Sequence, residues 1–444
     1  MPKKKKKMTV IQLTIITAIN MMGSGIIMLP ANLAQVGTMS ILSWMVTAIG
    51  AMTLAYAFSR AGMYTTKEGG MGGYSEYSFG KAGAFIANYT YGISLLIANA
   101  AIAISVVGYA GKLFNLNLGP LEVALGTILT LWFASVLNFG GARITGKIST
   151  FTIWGVIIPV VVSAVAGWFF FSGHVYASNW NPHHLGFFTG ISKSISITLW
   201  AFLGLESASA NMDSVENPKK NVPIAVLGGT ISAAIMYIVS TSVIAGIVPG
   251  SKLATSTAPF GVAFSQMFNP SIGKIVMALM IVSCFGSLLA WQFTIAEVFR
   301  SSTIEHYFPK IFGKTINNGT PLIGIAIITA LQSVLSLMTI SPSLSKQFTI
   351  LVNLAVVTNI IPYILSMSSI EKMQIEENVP FKGRKLTNFL AFIAAAYSLY
   401  ALYTAGSEAL VGGSIVTFAG WVLYGFISKR FNINSEISSN KKTI

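Results

Sequence analysis

An apolar stretch near the start of the chain, residues 10–36, is long enough to cross a membrane but is interrupted by Gly23-Ser24-Gly25. Glycine is a poor helix former, so the backbone is expected to unwind there. Lipid cannot hydrogen-bond the N–H and C=O groups that unwinding releases, and such a break is tolerated only where it lines a cavity inside the protein. The interruption therefore predicts a broken membrane helix, which is typical of transporters that bind small molecules with main-chain groups.

The composition indicates an all-α membrane protein with many spans. Charged residues make up 9% of the chain and hydrophobic residues 53%, whereas soluble domains carry about 25% charged residues. Twelve apolar segments each approach the ~20 residues that a spanning helix needs. They lie near 10–36, 40–61, 84–110, 120–140, 148–171, 189–211, 222–248, 272–299, 321–340, 347–370, 386–405 and 411–428.

The distribution of charge predicts the orientation of these spans. The net charge is +15, but the basic residues sit in short segments between spans, so nucleic acid is not expected as a partner. With the N-terminus in the cytoplasm, all but five of the 28 Lys and Arg residues fall on the cytoplasmic side, as the positive-inside rule requires. The exceptions are Lys112, Lys193, Lys252, Lys274 and Lys346. We therefore expect a multi-pass protein of the cell inner membrane with both termini cytoplasmic.

The two halves of the chain are weakly similar. The first span breaks at Gly23-Ser24-Gly25, and the sixth carries Gly204 and Glu206 at a similar depth. Each begins a unit of five spans, and an odd number places the second unit upside down, as in inverted-repeat transporters. The predicted organisation is a basic N-terminus (1–9), a first repeat (10–171), a second repeat (189–370), two further spans (386–428) and a cytoplasmic tail (429–444).

Glu206 is the sharpest single signal for function. It lies in an apolar run with no lysine or arginine nearby in sequence. A charge inside a bilayer is costly, so an intramembrane carboxylate is a functional candidate, and a negative charge facing a cavity suits a cationic substrate. The structural alternative is a glutamate that is protonated or hydrogen-bonded to another helix.

Two tryptophans are further candidates. Trp200 precedes Glu206 by six residues, so an unbroken helix would not place them on one face, but an unwound turn at Gly204 would bring both to a cavity. Trp291 lies inside the eighth span. A tryptophan face attracts an ammonium group, although an aromatic residue in a membrane helix more often serves in packing or in the interfacial belt.

The remaining polar residues favour structural roles. The glycine-rich segment 69–73 before Glu76 has no Gly-Lys-Ser/Thr ending, so it is read as a gate or a cytoplasmic turn and not as a phosphate loop. Glu297 and Arg300 have the spacing of an ion pair within a helix. The histidines lack a metal-ligand pattern, and neither a metal site, a cofactor nor an enzymatic activity is expected.

Several motifs resemble those of the amino acid–polyamine–organocation transporter family. They are residues 21–30, 70–74, 138–143, 200–206 and 215–218, and the similarity extends through 353–363 to 420–425. Within the family, the motifs are closest to the branch that takes basic substrates. The resemblance implies twelve helices in a five-plus-five inverted repeat, with the first and sixth helices broken. It also implies exchange of a basic amino acid for its decarboxylated diamine.

The resemblance also implies roles for particular residues. The break at Gly23, Ser24 and Gly25 would take the carboxylate of an amino acid substrate. Trp200 and Glu206 would hold and gate the cation, and Trp291 would stack against its chain. Glu76 and Tyr424 fall in matching segments and are added to the expected substrate-binding residues.

We expect an antiporter that exchanges putrescine for ornithine by alternating access, with the lipid bilayer as its environment. Lysine–cadaverine and arginine–agmatine exchange are alternatives, because spacing does not reveal the length of the pocket. Proton-linked putrescine uptake would follow if Glu206 or another carboxylate titrates during the cycle. A non-transporting amine receptor is the alternative from a different class. The oligomeric state is open, with a homodimer as one alternative.

The predicted orientation is testable with cysteines introduced singly. A thiol reagent that cannot cross the membrane should label His183→Cys from outside intact cells but not Lys219→Cys or Lys382→Cys. Permeabilised cells provide the control, since all three positions should then react. Labelling of the last two positions alone in intact cells would reverse the topology.

Overall fold

The computed structural model describes residues 9–428 except Ser24, Thr66, Glu68, 207–215, Glu305, 317–318 and Pro342. These described residues form α-helices and short 3₁₀ turns, with no strand among them, which confirms the all-α prediction. The helices are α1 Val10–Met22, α2 Leu29–Ala34, α3 Ile41–Tyr64, α4 Met71–Leu113, α5 Pro120–Leu137, α6 Gly141–Thr152, α7 Trp154–Ala166, α8 Gly173–Ser178, α9 Phe187–Trp200, α10 Pro218–Ile247, α11 Gly250–Ala254, α12 Pro259–Met267, α13 Pro270–Ile304, α14 Leu322–Met338, α15 Leu344–Glu376, α16 Phe381–Thr404 and α17 Ser407–Ile427.

The long helices have the length and composition of membrane spans. Among the described residues, 8 helical segments are long and apolar enough to cross a bilayer, and α1 and α14 are shorter apolar helices. Each of the twelve predicted segments contains at least one helix. Large apolar side chains cover the outside of the molecule, for example Phe169 at 89% exposure and Phe151 at 79%. Apolar surface on this scale requires a lipid surrounding.

Three long helices form the centre of the bundle. Helix α4 packs lengthwise against α15 and also against α13, while α1 packs against α10. Buried side chains from all of these helices belong to one large apolar cluster. The single cysteine, Cys284 on α13, is inside this cluster, and its Sγ lies 3.4 Å from the carbonyl oxygen of Ile102. The central helices therefore share one continuous apolar core.

Helix α4 changes direction near its start. Gly80 has φ +60° and ψ −158°, which interrupts the helix between its first nine residues and the long part that follows. A residue with a side chain rarely adopts this conformation, whereas glycine does so readily. The glycine-rich segment before Glu76 thus becomes the entry to a short helical arm instead of remaining an open loop.

Close helix contacts fix α7 against α13. A Cβ at Gly155 would lie 2.4 Å from the carbonyl oxygen of Leu279, and one at Gly286 would lie 1.7 Å from Oγ1 of Thr152. Small residues that let two backbones approach are a common device for joining helices in membranes. The two glycines therefore set the spacing between α6–α7 and the helix that carries Trp291.

Gly155→Ala tests this contact. The new methyl group meets backbone, which cannot rotate away, so we expect a loss of about 1–3 kcal/mol in stability, read as a lower Tm of the purified protein. Gly146→Ala on α6 is the matched control, because no atom lies within 4 Å of its Cβ position. The control should keep or slightly raise the Tm, since alanine favours helix. Equal Tm values for the two variants would rule out the tight contact.

Candidate functional site

The predicted break in the first apolar segment is confirmed. Helix α1 ends at Met22, α2 begins at Leu29, and the described residues between them form turns. The Tyr109 hydroxyl on α4 donates a hydrogen bond of 3.1 Å to the carbonyl oxygen of Ile27. A neighbouring helix thereby satisfies one of the groups that unwinding exposes. Ser24 lies outside the described residues.

A second break follows α9. The chain leaves the helix after Trp200 and passes through Gly204, whose φ is +101°. Here the Tyr237 hydroxyl on α10 donates to the carbonyl oxygen of Ala201 at 2.9 Å. The two breaks touch, because a Cβ at Gly25 would lie 3.2 Å from Ala201 Cα. Two unwound segments therefore meet in the middle of the bundle.

A cavity lies beside this meeting point. The space open to the centres of water molecules is about 40 Å³, so the cavity admits water. Four residues singled out in the sequence, Gly25, Trp200, Glu206 and Trp291, line it. The full lining is Asn20, Met21, Gly25, Leu95, Ala98, Ile102, Trp200, Leu203, Gly204, Glu206, Trp291 and Asn359. Gly23 is two residues before the lining residue Gly25, but it packs against Ser287 on α13.

Glu206 is buried, and its carboxylate accepts three hydrogen bonds. Its side chain is 8% exposed. Oε2 accepts from the Tyr363 hydroxyl at 2.6 Å and from the Gly204 amide at 3.1 Å, while Oε1 accepts from the Tyr91 hydroxyl at 3.1 Å. No lysine or arginine among the described residues forms an ion pair with it. Neutral dipoles therefore hold this carboxylate at the cavity, and a cation there would be its first charged partner.

The two tryptophans line the cavity from different surroundings. Trp291 lies against the second break, with its ring 3.4 Å from the Cβ position of Gly204. Trp200 is buried, meets Phe348 edge-on at 6.4 Å, and its Nε1 has no hydrogen-bond partner among the described residues. The unwound turn at Gly204 thus places Trp200 and Glu206 at one cavity, as the sequence predicted.

An amide network stands behind Trp291. Gln292, the next residue, is fully buried, accepts from Asn99 at 2.8 Å, and donates to Gln332 at 2.8 Å and Thr329 at 2.9 Å. These partners come from α4 and α14. Asn99 Oδ1 has no partner among the described residues, but the three hydrogen bonds of Gln292 hold its own side chain in one arrangement. The network therefore orients the part of α13 that presents the Trp291 ring.

Three residues of the site were not assigned roles from sequence. Tyr91 and Tyr363 bond to Glu206, and Asn359 lines the cavity at 1% exposure with Nδ2 donating to Ser94 Oγ at 3.0 Å. The Asn359 Oδ1 has no partner among the described residues. Asn359 and Tyr363 are four residues apart, so they share one face of α15. Two polar residues four apart in an apolar run are a sequence pattern from which a polar face of α15 at the cavity was predictable.

Glu76 and Tyr424 do not reach the cavity. Glu76, on the short arm of α4, forms ion pairs with Lys67 at 3.5 Å and Lys81 at 3.2 Å. Tyr424, near the end of α17, packs against Phe85 with ring centroids 5.5 Å apart. Both residues lie at the lysine-rich end of the helices, away from the two breaks.

The predicted ion pair between Glu297 and Arg300 is present, with a distance of 2.8 Å. Within the described part of the chain, no group of three or more His, Cys, Asp or Glu residues is arranged to hold a metal ion. Among the described residues, the lining of the cavity offers the Glu206 carboxylate, aromatic faces and amide groups, which is chemistry that suits an organic cation.

Comparison with known proteins agrees with this chemistry. A family model described as "Amino acid permease" matches residues 8–427. The putrescine transporter PotE of Haemophilus influenzae is 63% identical over 433 residues, covering 98% of this chain and 100% of that protein. The PotE of Escherichia coli K12 is 62% identical, with 98% and 99% coverage. The cadaverine/lysine antiporter of the same strain is 32% identical over 428 residues, 94% of each chain.

These relatives confirm the resemblance seen in the motifs. They are transporters and not enzymes, which confirms the expected class. Together with the apolar helices, they show a multi-pass membrane protein.

Substitution of the two tyrosines compares how much each hydrogen bond to Glu206 contributes to stability. Tyr363→Phe removes the 2.6 Å bond and Tyr91→Phe the 3.1 Å bond. Because a short bond to a charged acceptor is worth about 1.5–3 kcal/mol, we expect Tyr363→Phe to lower the Tm more than Tyr91→Phe. Each difference should shrink in a Glu206→Gln background. If Tyr363→Phe has the same effect with Glu and with Gln at 206, its hydroxyl does not stabilise the carboxylate.

Proposed function

This chain belongs to the amino acid permease family, and on that premise we propose that it is a secondary transporter that exchanges putrescine for ornithine. The observation that carries the proposal is Glu206, a buried carboxylate at a cavity walled by Trp200 and Trp291, with no ion pair to a lysine or arginine among the described residues. The two putrescine transporters at 62–63% identity support putrescine as the substrate. The lysine–cadaverine pair is supported less, by a relative at 32% identity.

The cavity offers putrescine a distinct partner for each of its features. One ammonium group pairs with the Glu206 carboxylate, which forms no ion pair within the described part of the chain. The methylene chain and ammonium lie against Trp291, and a desolvated cation on an indole face gains up to about 2 kcal/mol. The second ammonium donates to Oδ1 of Asn359, the buried acceptor without a partner among the described residues.

Ornithine shares the amines but adds a carboxylate. In the proposal, this group binds the main chain of the first break, at Gly23, Ser24 and Gly25. The start of α2 at Leu29 contributes the positive end of a helix dipole, which favours an anion. Putrescine has no group for this position, so the two substrates share the cation site and differ only at the break.

Transport proceeds by alternating access in this proposal. The cavity opens to each side of the membrane in turn, so that a substrate loads from one side and leaves on the other. The twelve apolar segments cross the inner membrane as a five-plus-five inverted repeat, with both termini in the cytoplasm and the broken helices at the centre. Glu76 and Tyr424 contact the substrate on its path between the cavity and the lysine-rich end.

Proton-linked uptake of putrescine is compatible with the same site. A buried carboxylate held by neutral donors can exchange a proton for a cation, and Glu206 is the candidate. Either mode can operate in a monomer or a homodimer. A non-transporting receptor would bind amines in the cavity but would move none across the membrane.

The test is counterflow of labelled putrescine into proteoliposomes. We expect rapid uptake with ornithine inside, slower uptake with lysine or arginine inside, and little uptake into empty vesicles. Glu206→Gln keeps the shape of the side chain and removes its charge. Exchange should then fall at least tenfold, which corresponds to about 1.4 kcal/mol of lost interaction.

Glu297→Gln, at an ion pair outside the cavity, is the matched control and should keep most of the exchange. Faster uptake with lysine inside than with ornithine would replace the substrate pair. Absence of exchange with every counter-substrate, in protein that still binds putrescine, would favour the receptor. Unchanged exchange in Glu206→Gln would remove this residue from the cation site.

A further inference from the structure

One face of α6 and α7 is exposed along its whole length. Ile153, between the two helices, keeps right-handed helical angles of φ −57° and ψ −28°, and the hydrogen bonds Ile153 N to Ser149 O and Ile157 N to Ile153 O continue the ladder. The two helices therefore act as one rod. Its exposed side chains recur at steps of three and four residues, so they form a single stripe. They are Phe151, Trp154, Ile158, Val161 and Val165.

Two cations occupy the start of the same stripe. Arg143 and Lys147 are exposed and one helical turn apart, and Lys147 is one turn before Phe151. Together with Gly146, Thr150 and Trp154, they line an open groove on the surface.

In the part of the chain that the structure describes, these two cations have no acidic partner. The sequence has no Asp or Glu between Glu122 and Glu206. Helix α6 packs on α13, whose only acidic side chain, Glu297, is paired with Arg300. Among the described residues, neither Arg143 nor Lys147 has an ion pair. The groove thus offers two positive charges next to exposed aromatic rings.

The length of the rod fits the full hydrocarbon core of a bilayer. From Lys147 to Val165 it rises about 27 Å at 1.5 Å per residue, close to the ~30 Å of that core. Arg143 and Lys147 therefore fall at one headgroup level, and the apolar stripe runs from there through the acyl-chain region. Trp154 and Phe151 lie just inside the headgroup boundary, where aromatic rings are enriched.

We propose that this groove is a binding site for an anionic phospholipid. The phosphate binds Arg143 and Lys147, the first of which can donate two parallel hydrogen bonds. An acyl chain lies along Phe151, Trp154 and Ile158. A soluble phosphate would use only the two cations, whereas the adjoining stripe of exposed apolar side chains is explained by a lipid.

The site connects to the transport cavity through α13. Ser149 on α6 donates to the carbonyl oxygen of Gly286 at 2.9 Å, and Thr152 lies against Gly286. Gly286 precedes Trp291 on α13 by little more than one turn. A lipid that holds α6 in place therefore stabilises the helix that presents the indole face to the cavity.

Quenching of Trp154 by brominated lipids tests the site in the purified full-length protein. The signal of Trp154 is the difference in fluorescence between the wild type and Trp154→Phe. We expect brominated phosphatidylglycerol to quench it at a much lower mole fraction than brominated phosphatidylcholine. Removing both charges in Arg143→Gln/Lys147→Gln should raise the half-quenching fraction of phosphatidylglycerol about 30-fold.

Lys310→Gln/Lys314→Gln is the matched control, because it removes two exposed charges between α13 and α14 and should leave quenching unchanged. If the double variant at 143 and 147 is not monodisperse, each single substitution should still raise the fraction about fivefold. Excess soluble glycerol phosphate should not displace the lipid.

Three results would overturn the proposal: equal quenching by both lipids, unchanged quenching without the two charges, or complete displacement by glycerol phosphate. The last would identify a site for soluble anions. The quenching experiment measures lipid binding and requires no transport. Its outcome is therefore independent of the outcome of the exchange assay.

Discussion

The satisfaction of unwound backbone inside an apolar bundle is the constraint on which the site depends. A buried main-chain polar group without a partner costs several kcal/mol in lipid. Tyr109 and Tyr237 remove part of this cost by donating to the carbonyl oxygens of Ile27 and Ala201. Each tyrosine comes from a neighbouring helix, so the breaks exist only in the assembled bundle. The cavity is thus a property of the packing of α4 and α10 against the broken helices.

The same breaks make a buried charge tolerable. Because the chain turns at Gly204, its amide reaches the Glu206 carboxylate, and the helices on either side supply the Tyr91 and Tyr363 hydroxyls. Three neutral donors stabilise an anion but leave its charge in place. An incoming cation therefore meets a carboxylate that is already oriented and still attractive. In the proposed exchange, this combination lets putrescine and ornithine use one site in turn.

Local signals in the sequence predicted the parts of the site that arise locally. Glycines in an apolar run indicate a break, and a carboxylate in such a run indicates function, so both breaks, Glu206 and the approach of Trp200 were predictable. Tyr91 and Tyr363 acquire their roles from contacts across more than a hundred residues, which depend on how α4 and α15 pack. Motif similarity alone placed Glu76 and Tyr424 with the site, and the structure puts them at another level of the bundle.

The contact between the two breaks has a consequence for how such carriers diversify. At Gly25 the cavity floor is main chain, pressed so closely to Ala201 that any side chain would separate the two segments. Backbone N–H and C=O groups are the same for every residue type. A substitution can therefore disrupt this surface but cannot adjust its preference among substrates. In the proposed function, preference for a longer or a shorter amine is then set by the walls of the cavity, at positions such as Leu95, Ala98 and Asn359. A main-chain floor that is fixed and side-chain walls that vary would let one scaffold serve a series of homologous substrates.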